Sequence, residues 1–291
     1  MASDSQKPKG RLAIIAGSGM LPLHVAGAAR LAGEDPLIIS IRNESDIDFE
    51  GFERAVIGVG DMKGLDAAMR SRGVDRVVLS GAISRRPEWR EITPTWKHLL
   101  KVPRVIRTLL SGGDDTVLQM VIGLIETDGR HVIGAHEIAP DLLAQTGPLG
   151  QHAPGEDDMR DIEKAASAAM ALGALDVGQG AVCVGGRVVA LEGVEGTDRM
   201  LERVAALRAE GRISARRRGV LVKLCKPQQD VRADLPSIGV STVDNARKAG
   251  LAGIAVEAGR ALVLDRQAMI ATADASGLFV CGIDRGIEHF L

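Results

Sequence analysis

The chain has 291 residues with 36 Lys and Arg, 38 Asp and Glu, and a formal net charge of −2. That length suggests two domains, and the balanced charge excludes the basic footprint of a duplex nucleic-acid binder. Thirty-five glycines stand against six aromatics (Phe49, Phe52, Trp89, Trp96, Phe279 and Phe290) and no Tyr, which removes stacking platforms for single strands and any Tyr-based general acid. The three cysteines, Cys183, Cys225 and Cys281, form no CxxC pair, so neither a disulfide framework nor a zinc site is expected. Residues 1–10 are polar and lack the apolar stretch of a signal peptide, and no apolar run reaches the ~18 residues of a membrane span, so a soluble cytoplasmic protein with a disordered lead-in is expected.

The first half alternates strand and helix signals. Apolar runs at Leu12–Ala16, Leu37–Ile41, Ala55–Val59 and Arg76–Ser80 read as strands, with helical spacing at 22–32 and 62–72 between them. Such alternation predicts βαβ crossovers and a parallel sheet covered on both faces. A stretch of about 45 residues broken by Pro94 and Pro103 follows, then a helix over 114–128 and a closing strand over 131–135. Residues 140–156 are rich in Pro, Gly and Gln without periodicity and read as a linker between a domain at 11–139 and one at 157–291. The second half opens with a helix at 157–172. Strands at 181–184 and 188–192 flank Gly185-Gly186-Arg187, a hairpin signature. Helices at 198–210, 242–249 and 266–274 then alternate with strands at 219–225, 254–257, 261–264 and 278–281.

Glycines mark three strand ends in the first half: Gly17-Ser18-Gly19, Gly60-Asp61 and Ser80-Gly81. In a parallel sheet that edge is where ligands bind, so these residues are candidates for substrate contact through backbone N–H groups. Gly17-Ser18-Gly19 is a defective dinucleotide fingerprint, because Pro22 replaces its third glycine; Arg42 keeps an NADP-dependent oxidoreductase open as an alternative. Asp61 can equally cap the next helix, and for Asp114-Asp115 capping is favoured over metal binding. The stretch 84–107 carries both tryptophans among Lys, Arg and His, which suits either an anionic membrane surface or a solvated helical pair with Trp89 and Trp96 in its core.

The densest cluster runs from Lys223 to Gly239. Pro227 and Pro236 bracket it and argue for an extended segment, which would project Asp230, Arg232 and Asp234 to one side. Two carboxylates there suit Mg²⁺, and Arg232 suits a phosphate clamp, with Lys223 and Lys226 adding charge. A second acidic cluster, Glu192 to Asp198, suits a phosphate or metal shell as well as a helix cap by Thr197 or Asp198. Walker, GxSxG and HExxH patterns are lacking.

AGSGMLP at 16–22, LDVGQ at 175–179, EGTD at 195–198 and KPQQDVRADLPSIG at 226–239 occur in one order, and together they resemble the metal-dependent UDP-2,3-diacylglucosamine pyrophosphatase family of lipid A biosynthesis, the type distinct from the calcineurin-like enzyme. The resemblance runs from about residue 11 to residue 286. It implies an α/β chain with a Rossmann-like first domain bearing a parallel sheet and a second α/β domain with a mixed sheet. It implies hydrolysis of a lipid-linked UDP-sugar to UMP and 2,3-diacylglucosamine 1-phosphate with Mg²⁺ or Mn²⁺, at the inner-membrane surface, and leaves a homo-oligomer open. On this sequence the catalytic set becomes Asp230, Asp234, Arg232 and Lys226. Gly17, Ser18, Gly19, Gly60, Asp61, Ser80, Gly81, Gln179, Gly196, Thr197, Lys223 and Gln229 become substrate contacts. Asp230, Asp234, Glu192, Glu195 and Asp198 become the metal shell. A UDP-sugar or lipid carrier without catalysis is the remaining alternative.

Overall fold

The computed structural model describes residues 10–83, 85, 88, 91–93, 108 and 114–284. Trp89 and Trp96, and most of the basic stretch around them, lie outside the described residues. The chain divides into two compact units, one running to Pro140 and taking in Asp230–Asp234, the other formed by Asp141–Gln229 and the chain from Leu235.

In the first unit, β1 (Arg11–Ala16), β2 (Leu37–Ile41), β3 (Arg54–Ile57), β4 (Val74–Ser80) and β5 (His131–Ile133) form one parallel sheet in the order β3-β2-β1-β4-β5. Every residue of β2 is buried, because a parallel strand is covered on both faces. Residues α1 (Leu21–Leu31) and α4 (Ala135–Ile138) turn toward the sheet pack with Ile14, Ile38 and Val78 on one face. On the other face α2 (Met62–Arg70) and α3 (Asp114–Thr127) pack with Ala13, Ile39 and Val77. Alternate residues of each strand thus feed two separate cores, as the pleat requires. Buried Arg130 closes the unit below β5, donating to Asp66 of α2 at 2.9 Å.

The second unit holds a mixed six-stranded sheet in the order β6-β13-β11-β9-β7-β8: β6 (Gly147–Pro148), β13 (Phe279–Ile283), β11 (Gly253–Glu257), β9 (Val220–Lys223), β7 (Gly180–Val184) and β8 (Arg187–Leu191). β9, β11 and β13 run parallel, while β7 is antiparallel to β9 and β8 to β7. β10 (Ser237–Ile238) and β12 (Leu262–Val263) make a separate short pair. α5 (Glu156–Ala174) covers one face; α6 (Gly196–Ala209), α7 (Val240–Lys248) and α8 (Arg266–Ala275) cover the other. The hairpin turn is the expected one, with positive φ at both Gly185 and Gly186.

The expected linker is not a free connection. Its Gly147–Pro148 pairs with β13, and Ala144 donates to the Ala261 carbonyl at 2.9 Å, so residues 141–156 belong to the second unit. All three cysteines are buried and unbridged. Burial, and then Asp161, pushes the Cys183 thiol up to about 12, and burial does the same for Cys281. None of the described helices is long and apolar enough to cross a membrane.

Candidate active site

The carboxyl edge of the first sheet differs from the sequence expectation in how it uses its glycines. Order β3-β2-β1-β4 makes the β1/β4 junction the point where a doubly wound sheet opens to a ligand. Here the loops leaving those two strands pair with each other. Ser18 N donates to Ala82 O at 2.8 Å, Ala82 N returns a bond to Ser18 O at 3.0 Å, and the Ser18 hydroxyl adds a third at 3.1 Å. Gly17 N donates to Ser80 O at 2.9 Å and Gly19 N to Asp46 Oδ1 at 2.9 Å. The amides of Gly17, Ser18 and Gly19, expected to cradle an anion, are therefore all engaged within the unit. Gly17 and Gly81 are there for close backbone approach: a Cβ at Gly17 would lie 2.3 Å from Ala82 O, and one at Gly81 2.7 Å from Ser18 O. The oxidoreductase alternative loses its phosphate cradle with them.

Gly60 and Asp61 serve structure in the same way. A Cβ at Gly60 would meet Glu91 O at 2.6 Å. Asp61 caps α2, its Oδ1 accepting from Gly64 N at 2.9 Å and from the Thr93 hydroxyl at 2.7 Å. Ser80 is the exception among these residues: its buried hydroxyl has no partner among the described residues.

Asp230–Asp234 is a turn and not an extended segment. Ala233 N and Asp234 N both reach Asp230 O, at 2.9 and 3.3 Å, and Arg232 N donates to Asp230 Oδ1 at 3.0 Å. Asp230 is thus an Asx cap of a single helical turn, and Pro227 and Pro236 lie too far off to forbid it. The turn keeps Asp230 and Arg232 together: Arg232 Nε donates to Oδ1 at 3.0 Å and Nη2 to Oδ2 at 2.7 Å, while Nη1 donates to Glu126 of α3 at 2.9 Å. Among the described residues, two of the five guanidinium N–H donors remain beyond these three bonds. The paired guanidinium holds the Asp230 carboxyl below the usual carboxylate range and raises Arg232 in turn. Asp115 Oδ1 accepts from Asp230 N at 3.4 Å, and Asp234 is exposed at the end of the turn.

The second unit gathers its charges where β9 ends. Lys223 is buried, with Nζ on Ser237 O at 3.0 Å. Lys226 is fixed at both ends, its amide donating to Gln229 Oε1 at 3.0 Å and its Nζ paired with Asp176 at 2.7 Å. Asp176 stands in the LDVGQ turn with positive φ, which a short polar residue tolerates. Sequence reasoning quoted that motif but did not single out Asp176. Gln179 accepts from Leu224 N through its backbone carbonyl at 3.0 Å, and its buried Oε1 has no partner among the described residues. Gly196 opens α6 with positive φ, and Thr197 donates to Glu192 Oε1 at 2.9 Å. Neither Thr197 nor Asp198 caps that helix; the N-cap is Glu195, without a side-chain cap bond.

Four of the five acids expected as a metal shell hold a partner within their own unit. Glu192 holds Thr197, Glu195 pairs with Arg203 at 2.9 Å, Asp198 accepts from Asn245 at 3.0 Å, and Asp230 holds Arg232. Among the described residues no three His, Cys, Asp or Glu side chains are grouped to hold an ion.

Two family models together span nearly the whole chain: the LpxI N-terminal domain matches residues 11–142 and the LpxI C-terminal domain residues 145–281. The chain belongs to the LpxI family. A curated relative from Caulobacter vibrioides, UDP-2,3-diacylglucosamine pyrophosphatase LpxI, is 42% identical over 275 residues, covering 94% of this chain and 98% of the relative. Among solved structures, a GalE-like L-threonine dehydrogenase from Cupriavidus necator matches with TM-score 0.31 and 12% identity over 96% of this chain and 87% of its own. A Thermus thermophilus UDP-glucose 4-epimerase matches with TM-score 0.29 and 11% identity over 94% and 86%. Likenesses that slight carry no argument about this LpxI-family chain.

Proposed function

We infer that this chain is a hydrolase that cleaves the pyrophosphate bond of UDP-2,3-diacylglucosamine, releasing UMP and 2,3-diacylglucosamine 1-phosphate in lipid A biosynthesis. The observation that carries the reading is 42% identity to the Caulobacter vibrioides pyrophosphatase across 98% of that relative's length. The chemistry asks for cations against a doubly charged pyrophosphate and a carboxylate that orients water. Lys226, held by Asp176, and Arg232, held by Asp230 and Glu126, supply fixed positive charge without a search for geometry at the moment of reaction. Asp230 and Asp234 are the proposed water-orienting and substrate-facing carboxylates. Ser80, Gln179 and Lys223 are the substrate contacts we retain from the sequence, since each keeps a polar side chain that the fold does not fully engage.

Mg²⁺ or Mn²⁺ is proposed as cofactor, on the resemblance alone. Asp230 and Asp234 would hold such an ion, and it would supply positive charge against the pyrophosphate oxygens. Purified protein is expected to release UMP from the substrate with Mg²⁺, to stop on adding EDTA, and to resume when Mg²⁺ is restored in excess. Absence of UMP release under all metal conditions defeats the hydrolase reading; release that survives EDTA defeats the metal proposal alone.

Association with a membrane surface is proposed for the same reason that the substrate is a lipid. Its support is a set of exposed aliphatic side chains on two adjoining segments, Leu175 and Val177 on one, Leu191 and Val194 on the other. The segments touch: a Cβ at Gly178 would lie 2.1 Å from Glu192 O. Co-sedimentation with phospholipid vesicles, lost in a Leu175→Asp, Val194→Asp double variant, is the expected result; equal sedimentation of both proteins sinks it.

A further inference from the structure

We propose that Glu192 and Lys223 form a subsite that reads one hydroxyl group of the substrate, in place of the metal role that sequence reasoning gave Glu192. The proposal deepens the hydrolase reading and rests on it for the source of that hydroxyl.

Glu192, Gly180 and Lys223 stand in one row across three strands. Glu192 N donates to Gly180 O at 2.9 Å, continuing the β7–β8 pairing, and Gly180 is the registered partner of Lys223. Residues directly opposed in antiparallel strands project to the same face. The next residues inward on that face, Ala190, Val182 and Leu221, share one core cluster. Glu192 and Lys223 therefore flank Gly180 on the same side of the sheet, where the glycine leaves a gap. The carboxylate leans into that gap: a Cβ at Gly180 would lie 2.4 Å from Glu192 Oε2.

Both groups are buried, Glu192 to 7% exposure and Lys223 to 6%. Glu192 Oε1 takes the Thr197 hydroxyl, but Oε2 has no hydrogen-bond partner among the described residues. Lys223 gives one of its three N–H donors to Ser237 O. The two make no ion pair across Gly180. An unpartnered carboxylate oxygen in a buried place is costly, and native proteins keep such groups rarely and for cause. A ligand that completes it is one such cause.

The donor and acceptor inventory selects the ligand. A carboxylate only accepts and an ammonium only donates. A group lying between them must donate on one side and accept on the other. A phosphate oxygen meets repulsion from Glu192, and a metal ion or amine meets repulsion from Lys223. A hydroxyl satisfies both, donating to Oε2 and accepting from Nζ. The substrate offers hydroxyls from two sources, the acylated hexose and the ribose.

The full chain is titrated by calorimetry with UMP and, separately, with a short-acyl 2,3-diacylglucosamine 1-phosphate, for wild type, Glu192→Gln and Lys223→Met. Each variant is expected to weaken one of the two ligands about tenfold and to leave the other unchanged, since a hydrogen bond to a charged group is removed. Weakened sugar phosphate assigns the hydroxyl to the hexose; weakened UMP assigns it to the ribose. A second measurement needs no variant: the 4-deoxy and 6-deoxy sugar phosphates and 2′- and 3′-deoxy-UMP are bound to wild type. One deoxy ligand is expected to lose the same factor. If every deoxy ligand binds wild type as tightly as its parent, the subsite is overturned, whether or not the variants fold. Release of UMP by wild type is read separately, so failure of the hydrolase reading and failure of the subsite are distinct results.

Discussion

Asp230→Asn is expected to lower UMP release by about a hundred- to a thousandfold while the fold survives. The carboxylate does two things that asparagine separates. As an Asx cap it accepts the Arg232 amide, and an asparagine oxygen does that equally well. As a charge it holds the Arg232 guanidinium through two parallel bonds, and a carboxamide cannot replace that pair. The variant therefore keeps the turn and loses both the water-orienting charge and the fixed cation. Turnover at saturating substrate and a thermal melt check the two halves. Activity within tenfold of wild type overturns the assignment, and a melt lowered by more than roughly 10 °C shows that the turn itself failed. The pH dependence has a definite sign. Arg232 holds the Asp230 carboxyl below its ordinary range, so it is ionised at neutral pH and does not act there as a general acid. A depressed folded-state value means that its contribution to stability is complete above the ordinary carboxylate range and is lost as pH falls through the folded value. In Asp230→Asn that part of the acid limb is missing, and acid denaturation becomes shallower.

Where residues act through their neighbours in sequence, the chain was readable. Leu37–Ile41 is a strand at those bounds because four aliphatic residues in five, between Pro36 and Arg42, have one economical use in a parallel sheet. Gly185-Gly186 is a tight hairpin because both residues need positive φ. Two-residue strands such as β10 and β12 carry no periodicity and were missed or overextended. At the site the limit is different. Gly17 and Gly81 suit ligand contact because a ligand near the backbone demands the absence of a Cβ; a second backbone makes the same demand, and the sequence does not distinguish them. Pro227 and Pro236 argue for an extended segment through Asp230, Arg232 and Asp234, but the Asx turn that Asp230 makes with the Arg232 amide sets the local backbone instead. The partner of Arg232, Glu126, lies 106 residues away, and no local pattern announces it. Glu192 and Lys223 were found as charges, yet their shared face follows only from the register through Gly180.

Asp161→Ala is expected to cost the second unit about 3–5 kcal/mol, with little direct effect on bound substrate. Asp161 lies on the buried side of α5 and reaches the turn between β7 and β8. Its Oδ2 accepts from Gly185 N at 2.8 Å and its Oδ1 from Gly186 N at 2.5 Å, with the Cys183 thiol donating to Oδ1 at 3.2 Å. One carboxylate thus satisfies two amides that point out of a tight turn and cannot pair across it. Alanine removes two hydrogen bonds to a charged acceptor at the exposed turn and leaves the buried Cys183 thiol without its acceptor. Asparagine retains one acceptor and is expected to cost less, about 1–2 kcal/mol. The order Ala worse than Asn, measured as urea midpoints, separates this account from simple loss of side-chain volume, which would spare Asn altogether. β8 is the edge strand of its sheet, with β7 as its one neighbour, so the turn is its anchor at that end. Amide exchange in Arg187–Leu191 is therefore expected to rise in Asp161→Ala before exchange in β9 or β11 does, and uniform exchange across the sheet would show that Asp161 supports the unit as a whole instead of this hairpin.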